Sequence, residues 1–272
     1  MSGAAGVRQA PLPILRRALT DGWRGLLGWT VGLAGVALLY LPLFPSMASP
    51  ELTDVLDALP PALIETLGYR DIGTGPGYTQ ATFFGLIGFV LLTIASIGWG
   101  AALIGGAEES GRLELTLAHG VGRVSYAVQS AAALVLKLAW LGVAAWLIIR
   151  AIEGPAQLGL DAGNLWATVA AWVGAGLVSG AAALAAGGLT GSRAWSVGAG
   201  AGVAVAGYTL QAVANNSADL DVLRRFSPFD WAFGSAPLAN GADVGGLGLL
   251  FGVSAVLIAV ATLGLARRDV LG

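Results

Sequence analysis

Several residue types that common catalytic and metal chemistry requires are scarce or absent in this chain of 272 residues. It has no cysteine, which excludes disulfides, thiolate nucleophiles and cysteine-ligated metals. His119 is the single histidine, so zinc motifs that need a histidine pair are excluded too. Lys137 is the single lysine and follows Ala-Leu-Val-Leu rather than a glycine loop, so a Walker A phosphate loop cannot exist. We therefore expect no metal, no bound cofactor and no enzymatic activity in this chain by itself.

Charge is also scarce, and this scarcity indicates the class of protein. Charged residues make up 11% of the chain and hydrophobic residues 56%, whereas about 25% of the residues of a soluble domain are charged. The 42 glycines suit such a chain, because small residues allow membrane helices to pack closely. The composition predicts an integral membrane protein, and no nucleic-acid partner is expected.

Six apolar segments are long enough to cross a hydrocarbon core of about 30 Å, which takes roughly 20 residues of helix. Before them, residues 1–24 contain four arginines and an apolar face formed by Ile14, Leu15, Ala18 and Leu19. This pattern predicts a short amphipathic helix in the membrane interface, and the alternative is a basic tail that only sets topology. The six spans are predicted near 25–45, 81–106, 124–149, 163–188, 195–214 and 245–266.

The distribution of arginine predicts how the chain is oriented. With the N-terminus in the cytoplasm, nine arginines fall inside and four outside, as the positive-inside rule requires. Both termini and residues 108–123 are then cytoplasmic, in a multi-pass protein of the cell membrane. The inner set is Arg8, Arg16, Arg17, Arg24, Arg112, Arg123, Arg193, Arg267 and Arg268, and the outer set is Arg70, Arg150, Arg224 and Arg225.

Two long loops are predicted on the outer side. Residues 46–80 contain a candidate amphipathic helix at 51–67 and a glycine-rich turn at 73–77. Residues 215–244 combine helix-breaking proline with aromatic side chains around Trp231. That combination indicates either short helices that enter the outer leaflet or an ordinary surface loop anchored by Trp231.

The most patterned polar segment is 108–123, between the second and third spans. Leu113 and Leu117 are four residues apart, the spacing of one face of a helix. Ser110 is placed to cap that helix at its start, and Gly120 and Gly122 are placed to end it. A short, rigid helix at a membrane surface suits a docking site for a soluble partner, and the alternative is a solvated loop that only caps span 2.

The same segment resembles the cytoplasmic loop of ABC-2-type transporter permeases. That loop typically reads E-x-G-x-L-E-L-L-L-A-x-P-V-S-R between spans 2 and 3. At the turn that ends the loop, Gly120 stands where proline is usual, and Gly122 where serine or threonine is usual. The N-terminal helix, the segment 227–238 and the C-terminal 266–269 are similar to the same family. The matching residues in the loop are Glu109, Gly111, Leu113, Glu114, Leu115, Leu117, Ala118, Val121 and Arg123.

This resemblance implies an all-α permease: an interfacial segment at 1–24 followed by a six-span domain at 25–272. It implies a pathway formed with a second permease subunit, identical or related, and two copies of a separate ATPase that supply ATP and Mg. It implies export of a drug, antibiotic, lipid or other amphipathic compound, with a coupling helix within 108–123 seated in the ATPase. The expected docking residues are Glu108, Glu109, Gly111, Arg112, Leu113, Glu114, Leu117 and Arg123.

Three polar residues in the spans are candidates for the translocation path. Lys137 lies 14 residues beyond Arg123, or about 21 Å along a helix, and a charge at that depth usually faces a cavity or a partner. The alternative is a lysine that extends toward the interface from a helix shifted outward. Gln129 and Gln211 either line the same path or make hydrogen bonds between helices.

Other functional classes remain open. A secondary transporter usually carries ionisable residues or broken helices at the midplane, where only Lys137 qualifies. An intramembrane enzyme would need a nucleophile and base, or several carboxylates, and no acidic residue lies within a predicted span. A membrane anchor that recruits a soluble partner through 108–123 fits the sequence as well.

Overall fold

The computed structural model of the chain describes residues 12–47, 72–215 and 218–269, and these are mainly helical, with no strand among them. Six of the helices are long and apolar enough to span a membrane, which confirms the predicted all-α, six-span fold. The predicted helix at 51–67 lies outside the described residues. In chain order, spans 1 to 6 are Trp23–Ser46, Gly75–Leu103, Arg123–Ile152, Ala162–Thr190, Arg193–Ala214 and Val244–Arg267.

Span 2 begins at Gly75, six residues before the predicted start, so the turn predicted at 73–77 is confined to residues 72–74. Two local signals start the helix within the glycine-rich stretch. The Thr74 hydroxyl accepts a hydrogen bond from the Gly77 amide at 3.1 Å, and Pro76 occupies the first turn, where its missing N–H costs nothing. From Gln80 to Ile87 the span has the wider hydrogen-bond pattern of a π-helix.

Only Thr190, Gly191, Ser192 and Arg193 separate the fourth and fifth apolar runs, which predicts a tight helical hairpin, and spans 4 and 5 form one. Gly191 ends span 4 at a φ of 70°, a left-handed conformation that favours glycine. The Ser192 hydroxyl then accepts a hydrogen bond from the Trp195 amide and begins span 5. The chain therefore reverses direction in two residues.

Span 4 is the centre of the bundle and packs against spans 2, 3, 5 and 6. In the most apolar stretch of span 4, 83% of the residues are buried. The corresponding share of buried residues is 17% in spans 1 and 5 and 22% in span 6. Small residues pack in the interior around span 4. An aromatic cluster, in which Trp172 contacts Phe83 and Phe84, packs there too. Spans 1, 5 and 6 therefore form the periphery.

Glycine determines how closely the spans approach. A Cβ on Gly176 would lie 2.7 Å from Leu92 of span 2, and one on Gly188 would lie 2.9 Å from the Cα of Ala261 in span 6. The Ser96 hydroxyl also donates a hydrogen bond to the Gly176 carbonyl at 2.7 Å. Such contacts leave no room for a side chain, as is typical of membrane helices.

Short helices follow span 5, as one interpretation of residues 215–244 predicts. A 3-10 helix at Ala218–Phe226 precedes α-helices at Pro228–Phe233 and Pro237–Asn240. The Ser227 hydroxyl donates a hydrogen bond to Gly207 of span 5 at 2.6 Å, and the buried Phe229 contacts Phe89 of span 2. The indole of Trp231 donates to the Arg225 carbonyl at 2.9 Å, so this residue anchors the segment.

We expect Trp172→Ala to lower the free energy of unfolding by about 3–5 kcal/mol, because it leaves a cavity in the central span. Trp172→Phe should cost less than about 1.5 kcal/mol, since it keeps most of the volume and removes a buried indole N–H that has no described acceptor. Both values can be measured by SDS titration in mixed micelles. Trp195→Ala is the matched control because Trp195 is 70% exposed, and an equal loss there would contradict the central role of span 4.

Candidate functional site

Residues 104–123 fold as two short helices at the end of the bundle that is predicted to be cytoplasmic. A junction helix, Gly105–Glu109, continues from span 2, and a surface helix, Arg112–Ala118, follows it. Gly111 separates them at a φ of 69°. The prediction that Ser110 caps the surface helix is wrong, because its hydroxyl donates back to the Gly106 carbonyl at 2.8 Å and so closes the junction helix instead.

The surface helix ends at a turn centred on Gly120, as predicted. The amide of Gly120 donates to the Leu117 carbonyl at 3.0 Å, and its φ is 86°. Proline is restricted to a φ near −65°, so the residue that is usual in the family could not adopt this turn. Gly122 has an extended backbone and begins span 3 with no side-chain cap.

Leu113 and Leu117 anchor the surface helix to the bundle, which confirms the predicted apolar face. Leu113 is completely buried, in a cluster with Ile104 and Ala107 of the preceding segment and Leu265 of span 6. Leu117 is half-buried against the same cluster. A partner cannot touch Leu113 in this arrangement, so that residue serves to hold the helix in place.

Glu108 forms a two-point ion pair with Arg268, which lies just after span 6. Nη1 of Arg268 donates to Oε1 of Glu108 at 2.6 Å, and Nη2 donates to Oε2. The side chain of Glu108 is 13% exposed and that of Arg268 is 23% exposed. The hydrogen bond to Glu108, followed by the charge of that carboxylate, raises the pKa of Arg268 although burial opposes the rise. Arginine is charged throughout the neutral pH range, so Arg268 contributes its charge to the ion pair there.

Two further hydrogen bonds join this pair to the neighbouring spans. Oε1 of Glu109 accepts from the backbone amide of Arg193 at 2.8 Å, which places a carboxylate at the N-terminus of span 5. Nη1 of Arg123, the first residue of span 3, donates to the Arg268 carbonyl at 3.0 Å. We call the set Glu108, Glu109, Arg123 and Arg268 the clamp. It connects the junction helix to the ends of spans 3, 5 and 6.

The outward face of the surface helix is the part of this helix that a partner can contact. Leu115 is 62% exposed. Arg112 and His119 are exposed beside it, and Glu114 is half-buried. The face therefore presents one large apolar side chain within a polar rim.

The structure places Gln129 and Lys137 on the side of span 3 that faces the N-terminal helix Pro13–Thr20 and the start of span 1. Oε1 of Gln129 accepts from the Ile14 amide at 3.0 Å and its Nε2 donates to the Ser125 hydroxyl at 2.9 Å, so both ends of this side chain are satisfied within the chain. Nζ of Lys137 lies 5.3 Å from the centre of the Trp99 ring. A Cβ on Gly22 would lie 2.9 Å from that nitrogen, so the ammonium reaches the level at which span 1 begins.

Gln211 is at the opposite end of the bundle, near the last turn of span 5. Its side-chain carbonyl is buried without a hydrogen-bond donor among the described residues. The three candidates for the path are therefore not brought together. A shared path lined by them stays a prediction. In the part of the chain that the structure describes, no group of three acidic or histidine side chains could hold a metal ion.

Comparison with protein-family models finds none that matches the chain, and comparison with curated proteins finds no match either. The resemblance to ABC-2-type permeases therefore stays a prediction based on the residues of the loop.

Sequence reasoning missed Arg268 and Leu115 as residues of this site. Arg268 is one of nine arginines that are predicted to be cytoplasmic, and nothing local distinguishes the one that pairs with Glu108, 160 residues earlier. Leu115 matched the family pattern but was not expected to be the apolar residue that faces outward. The spacing does indicate that Leu115 faces outward, since it lies two residues from both Leu113 and Leu117 and so falls on the other side of the helix.

We expect Glu108→Gln and Arg268→Gln each to lower the free energy of unfolding by about 2 kcal/mol, because each leaves a half-buried charge without its partner. The double variant should lose less than the sum of the two, which is the mark of a direct interaction. Asp21→Asn is the control, since Asp21 pairs with Arg17 on the surface and such pairs contribute about 0.5 kcal/mol or less. Losses that simply add would contradict the ion pair.

The two glycines of the loop should respond to substitution with opposite sign. Gly111→Ala should cost about 1–2 kcal/mol, because its left-handed φ is strained for any residue with a Cβ. Gly122→Ser should stabilise by a few tenths of a kcal/mol, roughly the gain from adding a capping hydroxyl at the start of span 3. Open space around both positions means that neither change causes a clash. Thermal midpoints in detergent distinguish the two, and a loss at Gly122 would show that its cap geometry is misjudged.

Proposed function

We propose that the chain is the membrane subunit of an ATP-driven exporter of the ABC-2 type. In this proposal the surface helix is the coupling helix, and a separate ATPase binds its outward face from the cytoplasm. ATP and Mg are then held by that ATPase, and a second permease subunit completes the pathway. The export of a drug, antibiotic, lipid or other amphipathic compound is part of the same proposal.

The observation that supports the proposal best is the combination of an exposed leucine with a rigid attachment. Leu115 offers an apolar contact to a partner, while the buried Leu113 and the clamp tie the same short segment to spans 3, 5 and 6. A push on the surface helix would therefore move several spans together. A loop that only connects two spans needs neither feature.

The periphery of the bundle is compatible with a second permease subunit. Spans 1 and 5 are the least buried. Each has a glycine pair, Gly28/Gly32 and Gly198/Gly202, at which an added Cβ would meet no described atom within 4 Å beyond the backbone of its own helix. Such surfaces suit either lipid or close contact with a second copy or a relative of this chain.

The membrane anchor is the second candidate, because it needs the exposed face of Leu115 as well. The clamp distinguishes the two functions. An anchor has no need for a connection from its docking helix to three spans, whereas an energy-coupled transporter depends on one. A secondary transporter has less support, because the one lysine in a span directs its ammonium to the level at which span 1 begins rather than to a midplane site.

Docking can be tested by co-expressing this chain with a candidate ABC ATPase from the same organism and purifying the complex. We expect Leu115→Glu to weaken the complex at least about tenfold, because it places a charge in an apolar contact. Val222→Glu is the control, since Val222 is 53% exposed at the opposite end. The chain alone should hydrolyse no ATP and the complex should. A complex that survives Leu115→Glu unchanged would exclude this face as the docking site.

Coupling can be tested separately, because the absence of cysteine allows a single labelling site to be introduced. A thiol at Phe226→Cys, 67% exposed at the opposite end, should change its labelling rate when the complex binds ATP. Breaking the ion pair with Arg268→Gln should abolish that change while the ATPase stays bound. A membrane anchor predicts no ATP-dependent change in either protein.

A further inference from the structure

A cavity of about 260 Å³ lies at the predicted cytoplasmic end, between the N-terminal helix, the surface helix and spans 2 and 3. Its apolar wall includes Ile14, Trp99 and Leu103. Three of its lining residues are cations, one from each of three separate elements. These are Arg17 of the N-terminal helix, Arg112 of the surface helix and Lys137 of span 3.

Lys137 is the feature of this cavity that most needs a ligand. Its side chain is 6% exposed, and among the described residues no group accepts a hydrogen bond from its ammonium or forms an ion pair with it. Its one described polar contact is the face of the Trp99 ring, which also lines the cavity. An ammonium carries three donors, and a buried one without an anion is unfavourable.

The other charges leave the cavity positive. Asp21 is the single carboxylate of the lining, and it pairs with Arg17 at 3.2 Å. Arg112 donates its Nε to the Ser110 hydroxyl at 2.8 Å, which leaves its two terminal nitrogens for another acceptor. Lys137 and Arg112 thus line the same space, and the one carboxylate of the lining is paired with Arg17. Arginine binds phosphate through two parallel hydrogen bonds, and lysine acts on it as a point charge.

The level of the cavity relative to the membrane indicates which anion is available there. The Lys137 ammonium lies beside Gly22, immediately before span 1. Trp23, the first residue of span 1, is 52% exposed and is covered by Arg24, a pair typical of the membrane interface. Span 3 has 30 residues and is about 45 Å long, so it extends beyond a hydrocarbon core of about 30 Å. Although Lys137 is the fifteenth of the 30 residues of span 3, its ammonium therefore lies at the level where span 1 begins, close to the lipid headgroups.

We propose that this cavity binds a phosphate-bearing anion, held by Lys137 and Arg112 over the Trp99 ring. The phosphodiester of an anionic phospholipid is the source that the headgroup level favours, and free inorganic phosphate is the other source of the same chemistry. The bound phosphate would connect the surface helix to span 3 and to the N-terminal helix. This site does not depend on the docking of an ATPase.

The test uses the full-length chain, purified in neutral detergent and stripped of lipid. Native mass spectrometry counts bound dioleoylphosphatidylglycerol, and a thermal-shift titration gives its apparent Kd. We expect one saturable site in the wild type. Lys137→Met and Arg112→Gln should each weaken it at least about tenfold, while Lys137→Arg should retain most of the binding. Arg112→Gln changes an exposed side chain, so it tests the site even if Lys137→Met folds poorly.

Parallel titrations distinguish the two sources of phosphate, and a control variant tests whether the cavity is responsible. A thermal shift with inorganic phosphate that Lys137→Met abolishes would support a site for the soluble anion, whereas a response to the lipid alone supports the headgroup. Arg267→Gln is the matched control, because it removes an exposed cation at the same end that does not line the cavity. Equal lipid binding by the wild type, Lys137→Met and Arg112→Gln, with no effect of phosphate, would overturn the proposal. An equal loss with Arg267→Gln would overturn it too.

Discussion

Close contact at the glycines of span 4 is the constraint on which the rest of this structure depends. In a bilayer, association of helices relies on van der Waals contact rather than on the release of water, so the distance between helix axes decides how well they hold together. Gly176 and Gly180 allow span 2 to approach, and Gly188 allows span 6 to do so. Because four spans pack on this one helix, their ends at the predicted cytoplasmic side are held close to each other.

That convergence determines what the loop between spans 2 and 3 can do. Glu108 and Glu109, which the sequence offers as docking residues, direct their carboxylates to Arg268 and to the amide of Arg193. They stabilise the connection between the loop and the bundle, and the contact with a partner is left to the outward face around Leu115. The proposed coupling then has two separable parts, a docking face and a clamp, and each can fail without the other.

The N-terminal helix changes the interpretation of Lys137. Gln129 accepts a hydrogen bond from the amide of Ile14, near the start of this helix. Lys137 lies beside Gly22, beyond the end of the helix. These two residues of span 3 are about 12 Å apart along its axis, which is also about the length of an eight-residue helix. The N-terminal helix thus runs along the inner part of span 3 and brings Lys137 to the beginning of span 1. A lysine that is costly at the midplane is favourable there, where anionic headgroups are present.

The sequence by itself determined the six spans, the amphipathic face of Leu113 and Leu117 and the hairpin at Gly191, because each depends on a window of a few to about 20 neighbouring residues. The start of span 2 was predicted too late in the chain, because a proline and a capping threonine begin the helix despite three glycines. Only the tertiary structure decided that Glu108 pairs with Arg268, that Leu115 faces outward and that Lys137 shares a cavity with Arg112. These facts depend on residues far apart in the chain, and their proximity is set by the helix packing on span 4, which no local pattern encodes.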